Sequence, residues 1–414
     1  LMPSDVLVMN RTKVKGLVMD MGSRTSHTAI LARAFGIPAV LGLSLITKEI
    51  NDGDKLVVNG SAGQVVVNAD KQALTQLENA IKEFRKKSDE LSRLRDLPAE
   101  TLDGHRVILK ANIEISEEAD QVLDFGAEGI GLYRSEFLFL TPGKLAGEEE
   151  QYRSYSHVLR TLEGLPVTIR TVDVGGDKLL PELQTMDEKN PLLGWRAIRF
   201  SLSHPELFKT QLRAILRASV EGNVRIMFPM ISGIEELEKA LVLLEEAKSE
   251  CRQRGYAFTK DIEVGTMIEI PSAAMTADIL AERSDFFSIG TNDLIQYSLA
   301  VDRGNERVNY LAQPCHPAVL RFLKLTIDAA HQKKIKAAMC GELAGDTFVT
   351  PLLLGLGLDE FSMTASTIPQ VKKIIRGVSM EKCCALAENV LRSTSYQHVV
   401  SLVETWTREN FPLG

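Results

Sequence analysis

The chain has 414 residues, of which 44% are hydrophobic and 25% charged, and its formal net charge is −7 at pH 7. Its length predicts two or three domains with ample cores, and its negative charge does not favour nucleic acid as a partner. No apolar run is long enough to span a membrane, no signal peptide is visible, and the 5 scattered cysteines form no disulfide framework, so we expect a cytoplasmic protein.

The first part of the chain, residues 1–68, predicts a small α/β unit. Its short apolar runs are bounded by turn residues such as Asn51-Asp52-Gly53-Asp54, a pattern typical of strands. We expect these strands at Val6–Met9, Gly16–Met19, Pro38–Leu41, Lys55–Val58 and Gln64–Val67.

A histidine lies where this unit changes from strand to helix. A loop of small residues follows the strand at 16–20, and a helical apolar pattern then covers residues 27–35, beginning at His27 and ending at Gly36. Helix N-termini attract anions, and a neutral imidazole, with an unperturbed pKa of about 6.5, is a nucleophile at neutral pH. His27 is therefore a candidate phosphate carrier, although an ordinary polar histidine fits the local pattern equally well.

The next segment, residues 69–99, predicts a helical linker. The stretch from Lys71 to Arg95 is rich in Lys, Glu, Leu and Ala and contains neither Gly nor Pro, and Leu97-Pro98 ends it. Such a pattern is typical of a long, mostly exposed helix. We expect it to connect two domains and to act as their hinge.

The remaining residues, 100–414, predict a (β/α)8 barrel of the TIM type. Helical stretches separate eight apolar runs, and eight alternating strands and helices are typical of this fold. We expect the strands at Val107–Ile113, Gly129–Phe137, Pro166–Val174, Asn223–Met230, Ile262–Ile270, Phe286–Asp293, Lys336–Gly341 and Leu358–Met363. The helical stretches include Glu206–Ala218, Ile234–Glu250, Pro317–Gln332 and Pro369–Ile375.

Polar side chains gather at the carboxyl ends of these strands, where such barrels build their active sites. Guanidinium groups bind phosphate and carboxylate in pairs of hydrogen bonds, so a cationic cup fits a small, doubly anionic substrate. The cup would contain Arg134, Arg170, Lys178, Arg196 and Arg303.

Two carboxylates and a thiol occur at the same end. Glu269 and Asp293 offer oxygen ligands that suit Mg²⁺ or Mn²⁺ better than zinc, and Cys340 follows the seventh strand. Taken singly, an arginine is more commonly part of a surface ion pair, and a cysteine is more commonly a small buried apolar residue. Their joint placement favours a site.

Four stretches resemble the signatures of the phosphoenolpyruvate-utilising enzymes. They are residues 23–30, which include His27, and residues 131–139, 286–305 and 339–346. The stretches occur in the same order as the corresponding signatures of the Enzyme I family of the bacterial sugar phosphotransferase system. They are most similar to that family, and the resemblance covers nearly the whole chain.

The resemblance implies a partial, swivelling phosphohistidine domain at 1–68, a helical linker at 69–99 and a barrel at 100–414 that binds phosphoenolpyruvate and dimerises. It implies that Nε2 of His27 accepts the phosphoryl group and that Cys340 protonates the enolate to give pyruvate. It also implies that Glu269 and Asp293 hold Mg²⁺, with Mn²⁺ as a possible substitute. The substrate would be held by Arg134, Arg170, Lys178, Arg196, Asn292 and Arg303.

Other interpretations stay open. A relative of pyruvate phosphate dikinase or phosphoenolpyruvate synthase would share the swivelling histidine, but residues 296–303 favour Enzyme I. A nitrogen-regulatory paralogue would share the same motifs. A regulatory protein that senses phosphoenolpyruvate without turnover would have no need of the proton donor Cys340.

The resemblance also implies that the phosphoryl group passes to the histidine of the carrier protein HPr. Members of the family carry an HPr-binding subdomain and further strands before the point where this sequence begins. We therefore expect this chain to bind phosphoenolpyruvate and Mg²⁺ but to phosphorylate HPr poorly. Transfer of label from phosphoenolpyruvate to HPr at the rate of a full-length relative would contradict this expectation.

Overall fold

The computed structural model describes residues 13–22, 32, 37–60, 62–139, 145–175, 188–305 and 307–411. The chain divides into two compact units, Leu1–Glu90 and Leu91–Gly414. Within the described residues, no helix is long and apolar enough to cross a membrane.

Among its described residues, the first unit contains two small sheets. Strands β1 (Leu17–Val18) and β2 (Ala39–Val40) pair in parallel, whereas β3 (Leu56–Asn59) and β4 (Gln64–Val67) form an antiparallel pair. Each lies at a predicted strand, and a short helix covers Ile46–Glu49. The predicted strand at Val6–Met9 and, apart from Ala32, the predicted helix at 27–35 lie outside the described residues.

One long helix, Lys71–Ser92, occupies most of the predicted linker. Large apolar side chains such as Ile81 and Phe84 are exposed on it, Phe84 to 70%. After it, turns lead to Ala99, which is fully buried. The functional division at residues 68 and 99 stays a prediction.

The second unit is the predicted barrel. Among the described residues, eight parallel strands close on themselves, since the last strand pairs with the first. They are β5 (Ile108–Ile113), β6 (Ile130–Arg134), β7 (Val167–Arg170), β8 (Val224–Phe228), β9 (Glu263–Ile268), β10 (Phe286–Ile289), β11 (Lys336–Met339) and β12 (Glu360–Thr364). The (β/α)8 fold expected from the sequence is therefore confirmed.

Helices follow the strands and cover the barrel. Among its described residues, the insertion between β7 and β8 includes the helices Ala197–Ser203 and Pro205–Ala218. The other helices described in this unit are Ala119–Val122, Glu148–Thr161, Ile234–Gln253, Pro271–Met275, Ala277–Leu280, Thr291–Leu299, Pro317–Gln332, Thr350–Leu356, Ile368–Arg376, Met380–Leu391 and Tyr396–Asn410.

Successive side chains of a strand point alternately into the barrel and towards the surrounding helices. Residues such as Phe287 and Phe361 belong to the large core that the strands share with the helices. Side chains from separate strands also meet in a smaller apolar cluster of Leu132, Met227, Met267, Phe286 and Cys340. Within the described residues, apolar side chains thus pack the interior of the barrel.

Several strands end earlier than predicted, which moves site residues onto other elements. β6 ends at Arg134, and a 3₁₀ turn then covers Ser135–Phe139. β10 ends at Ile289, so Asn292 and Asp293 lie in the first turn of the helix Thr291–Leu299. Continuous apolar runs hide this change, because a buried strand and the buried start of a helix look alike in sequence.

Candidate active site

The best defined part of the barrel mouth is a buried ion-pair cluster around Asp173. Arg170 ends β7, and its Nη1 lies 2.9 Å from Asp173 Oδ2. Arg196 donates to the other oxygen, Oδ1, from Nη2 at 2.7 Å and from Nε at 3.1 Å. One carboxylate therefore holds two guanidinium groups.

A second acid, Glu136, completes this cluster. Its Oε1 accepts hydrogen bonds from Arg170 Nη2 at 3.0 Å and from the backbone N–H of Asp173 at 2.9 Å. Burial opposes the charge of Arg170, but the two carboxylates outweigh it and raise the arginine's pKa. Burial likewise opposes ionisation of Asp173, but Arg170 and Arg196 lower its pKa, whereas burial raises the pKa of Glu136.

The predicted metal ligands adjoin this cluster. Asp293 Oδ2 lies 3.6 Å from Arg196 Nη2. Glu269 follows β9 and is 2% exposed, and its Oε1 accepts a hydrogen bond from the backbone N–H of Met230 at 2.6 Å. Burial, together with the charges of Asp293 and Asp173, raises the pKa of Glu269 to about 8.

Gly290 makes room for the Glu269 carboxylate. A Cβ atom at this position would lie 2.7 Å from Glu269 Oε2 and 2.9 Å from its Cβ. Any larger residue would therefore displace the carboxylate or shift the backbone.

These residues fit a divalent cation that completes its shell from elsewhere. Two buried carboxylates that repel each other are stabilised by a cation, and Mg²⁺ commonly takes one or two protein carboxylates with substrate oxygens and waters. No group of three or more His, Cys, Asp or Glu side chains suited to a metal occurs within the described residues. The arrangement thus favours a metal bound together with a substrate.

Cys340 lies directly after β11 and is 2% exposed. Its Sγ lies 3.8 Å from the backbone oxygen of Ile289. Burial raises the pKa of the thiol, while the charges of Arg170 and Arg134 act in the opposite direction. The thiol therefore stays protonated and lies within the field of the arginine cluster.

The other residues predicted to bind the substrate differ in their exposure and in their partners. Arg134 ends β6 and pairs through Nη1 with Glu114 Oε1 at 2.5 Å. Asn292 Oδ1 accepts the backbone N–H of Glu342 at 3.1 Å. Arg303 is exposed, and its backbone N–H donates to Gln296 Oε1 at 3.2 Å. His27 and Lys178 lie outside the described residues.

Sequence reasoning missed two contributors to this mouth. It placed Glu136 at a strand end without a function, although that carboxylate holds Arg170. It also assigned no structural role to Tyr297. The hydroxyl of Tyr297 donates a hydrogen bond to the backbone oxygen of Leu192, and burial raises the pKa of this hydroxyl to about 12. Tyr297 thereby ties the segment before Arg196 to the helix that carries Asp293.

The guanidiniums of this cluster are oriented to donate hydrogen bonds to a small anion with two negatively charged groups. Its guanidiniums are fixed before a ligand arrives, so little ordering is needed on binding. Beside them lie a carboxylate pair suited to a cation and a protonated thiol. These are the parts that a phosphorylated, carboxylated substrate requires.

Comparisons with known proteins agree with this geometry. Residues 88–380 match the family described as "PEP-utilising enzyme, PEP-binding domain", and residues 1–63 match "PEP-utilising enzyme, mobile domain". A phosphoenolpyruvate-protein phosphotransferase from Staphylococcus carnosus is 48% identical over 408 residues, which are 99% of this chain and 71% of that protein. Its counterpart from Haemophilus influenzae is 46% identical over 410 residues, again 99% and 71%.

A further relative of the same name, from Priestia megaterium, is 47% identical over 98% of this chain and 71% of its own length. Among solved structures, a citrate lyase from Burkholderia xenovorans covers 75% of this chain and 95% of its own with a TM-score of 0.42 and 14% identity. That likeness is too distant to support an inference.

The raised pKa of Glu269 predicts that divalent cations bind with release of a proton. Below about pH 8 the carboxyl is largely protonated, so a cation must displace that proton, and affinity should rise with pH until about pH 8 and then level off. Calorimetric titration of Mn²⁺ at pH 7 in two buffers of different ionisation enthalpy measures the proton released, which we expect to approach one.

The control variant for this titration is Glu282→Gln, at an exposed glutamate that pairs with Lys333. It should release the same proton, whereas Glu269→Gln should release none. Mn²⁺ affinity that is independent of pH between about pH 6 and 8 in the unmodified chain would contradict the assignment of Glu269 as a ligand.

Proposed function

Because the chain belongs to the PEP-utilising enzymes, we propose that it transfers the phosphoryl group of phosphoenolpyruvate to its own His27, releases pyruvate and passes the phosphoryl group to HPr. The observation that carries this proposal is the pair of guanidiniums held by Asp173 beside the carboxylates of Glu269 and Asp293. A preformed cationic cup next to a metal-binding pair suits a substrate that has both a phosphate and a carboxylate.

The cationic side chains would bind phosphoenolpyruvate. The side chains of Arg170 and Arg196 are largely shielded from water and held by carboxylates, so we propose that they bind the substrate groups nearest the reacting bond. The remaining contacts to phosphate and carboxylate would come from Arg134, Lys178, Asn292 and Arg303. Phosphoryl transfer through a loose transition state depends mainly on such positioning and charge neutralisation.

Glu269 and Asp293 would hold Mg²⁺, or Mn²⁺ in its place. When bound there, the ion supplies positive charge to the phosphate and to the enolate oxygen that forms. The chain's own contribution is to orient the two buried carboxylates, Glu269 through the N–H of Met230 and the space left by Gly290, and Asp293 beside the guanidinium of Arg196.

His27 supplies the nucleophilic nitrogen. An imidazole accepts a phosphoryl group and releases it again, which allows two successive transfers. Its domain must bring it to the barrel mouth to receive the group and then present it to HPr. The linker at 69–99 is the proposed hinge for this motion.

The enolate left by the transfer needs a proton at C3. Cys340 is buried at the same mouth, and its raised pKa keeps the thiol protonated at neutral pH, so it is our proposed donor. The proposal also includes a homodimer formed through the barrel and a cytoplasmic location.

Labelled phosphoenolpyruvate tests the proposal. After incubation of the chain with ³²P-labelled phosphoenolpyruvate and Mg²⁺, we expect acid-labile, base-stable label on His27, because phosphohistidine has that stability. His27→Asn should remove the label, while His398→Asn, at an exposed histidine of the C-terminal helix, should not.

Label on any other residue would overturn the proposed transfer. Tight binding of phosphoenolpyruvate with neither label nor pyruvate would instead support a sensor that binds without turnover. Label that came from ATP and not from phosphoenolpyruvate would point to the dikinase branch of the family.

A further inference from the structure

The backbone around Cys340 is fixed from two sides. The N–H of Cys340 donates to the backbone oxygen of Ile289 at 3.1 Å. The carbonyl oxygen of Cys340 accepts a hydrogen bond from Asn112 Nδ2 at 2.9 Å. The first contact continues the pairing of neighbouring strands, whereas the second comes from β5, which is separated from β11 by β12.

Asn112 is itself held in place. Ser362 Oγ, from the intervening strand β12, lies 2.6 Å from Asn112 Oδ1 and 3.2 Å from the backbone oxygen of Ala111. Space there is tight, because a Cβ atom at Gly131 would lie 2.4 Å from Ser362 Oγ. The amide orientation is thus set, with its oxygen towards Ser362 and its nitrogen towards Cys340.

We propose that Asn112 is a positioning residue that holds the peptide of Cys340 so that the thiol faces the substrate. This inference rests on the proposed function, in which Cys340 is the proton donor. Asn112 does not touch the substrate in this account. It acts through the carbonyl of Cys340.

The residue after Cys340 restricts the same stretch of backbone further. A Cβ atom at Gly341 would lie 1.9 Å from Thr291 Oγ1 and 2.7 Å from its backbone nitrogen, so the backbone there is packed closely against the start of the helix Thr291–Leu299. With the N–H and the carbonyl of Cys340 both bound and Gly341 confined, the thiol has little freedom beyond its own χ1 rotation.

The step that depends on this placement is a single proton transfer. The π electron pair of the enolate forms a new C3–H bond with the thiol proton, and the enolate oxygen becomes the ketone oxygen of pyruvate. The S–H electron pair stays on sulfur as a thiolate, which takes a proton from water before the next turnover. A displacement of the donor by a fraction of an ångström slows such a transfer.

Asn112→Asp is the sharpest test, because aspartate has the same shape but cannot donate. Its second oxygen would face the carbonyl oxygen of Cys340, and the two acceptors would repel each other. The matched control is Asn389→Asp, the same change at an exposed position on the helix Met380–Leu391.

The readout is exchange of the C3 protons of pyruvate in D₂O, followed by NMR on the full chain with Mg²⁺, beside the affinity for pyruvate measured by calorimetry. We expect Asn112→Asp to slow exchange by about tenfold or more with affinity changed less than about twofold, since positioning affects the proton transfer and not the binding. Asn389→Asp should match the unmodified chain.

Ser362→Ala provides a second, milder variant. It leaves the bond from Asn112 to Cys340 intact but frees the amide to rotate, so we expect a loss of about two- to fivefold in exchange. If Asn112→Asp does not fold, as judged by circular dichroism, this variant decides the question, and unchanged exchange in it overturns the proposal.

Cys340→Ala distinguishes a failure of the proposed proton donor from a failure of the positioning role of Asn112. If it leaves exchange unchanged, the proposed function is wrong in its proton donor. If it abolishes exchange while Asn112→Asp exchanges at the normal rate, the donor stands and the positioning role of Asn112 is refuted.

Discussion

The carboxylate of Asp173 accepts hydrogen bonds from Arg196 and forms an ion pair with Arg170, and all three side chains are largely shielded from water. A buried charge without a partner is strongly unfavourable, and removal of one partner of a buried pair costs about 3–5 kcal/mol. This pairing is therefore what permits two guanidiniums to sit at the barrel mouth without a ligand. Glu136 extends the same constraint by holding Arg170 and the backbone N–H of Asp173.

The constraint has a functional consequence, because it orients cations in advance of the substrate. Groups that are already ordered need no rearrangement when charge moves from the phosphate to the enolate. The same field reaches Glu269, whose pKa burial and neighbouring acids raise, and the buried thiol of Cys340. Anion binding, metal binding and proton donation thus depend on one electrostatic network at the carboxyl ends of the strands.

The sequence predicted the barrel because its strands are continuous apolar runs separated by amphipathic helices. It also placed Cys340 at a strand end, whereas it placed Arg170 inside a strand that was expected to continue to Val174 but ends at Arg170. It could not predict that Glu136 pairs with Arg170, or that Asn112 binds the carbonyl of Cys340 across 228 residues, since pairing between strands depends on register and side-chain direction. The change from strand to helix before Asp293 was likewise hidden by apolar residues.

The central claim is that Asp173 preorganises the arginines and does not merely compete with the substrate for them. Calorimetric titration of phosphoenolpyruvate into Asp173→Asn, with Asp278→Asn as a control at an exposed aspartate, distinguishes these roles. Loss of orientation should weaken binding by about tenfold or more, although a negative charge has been removed from an anion site. Affinity that is unchanged or higher than in the unmodified chain would contradict the account.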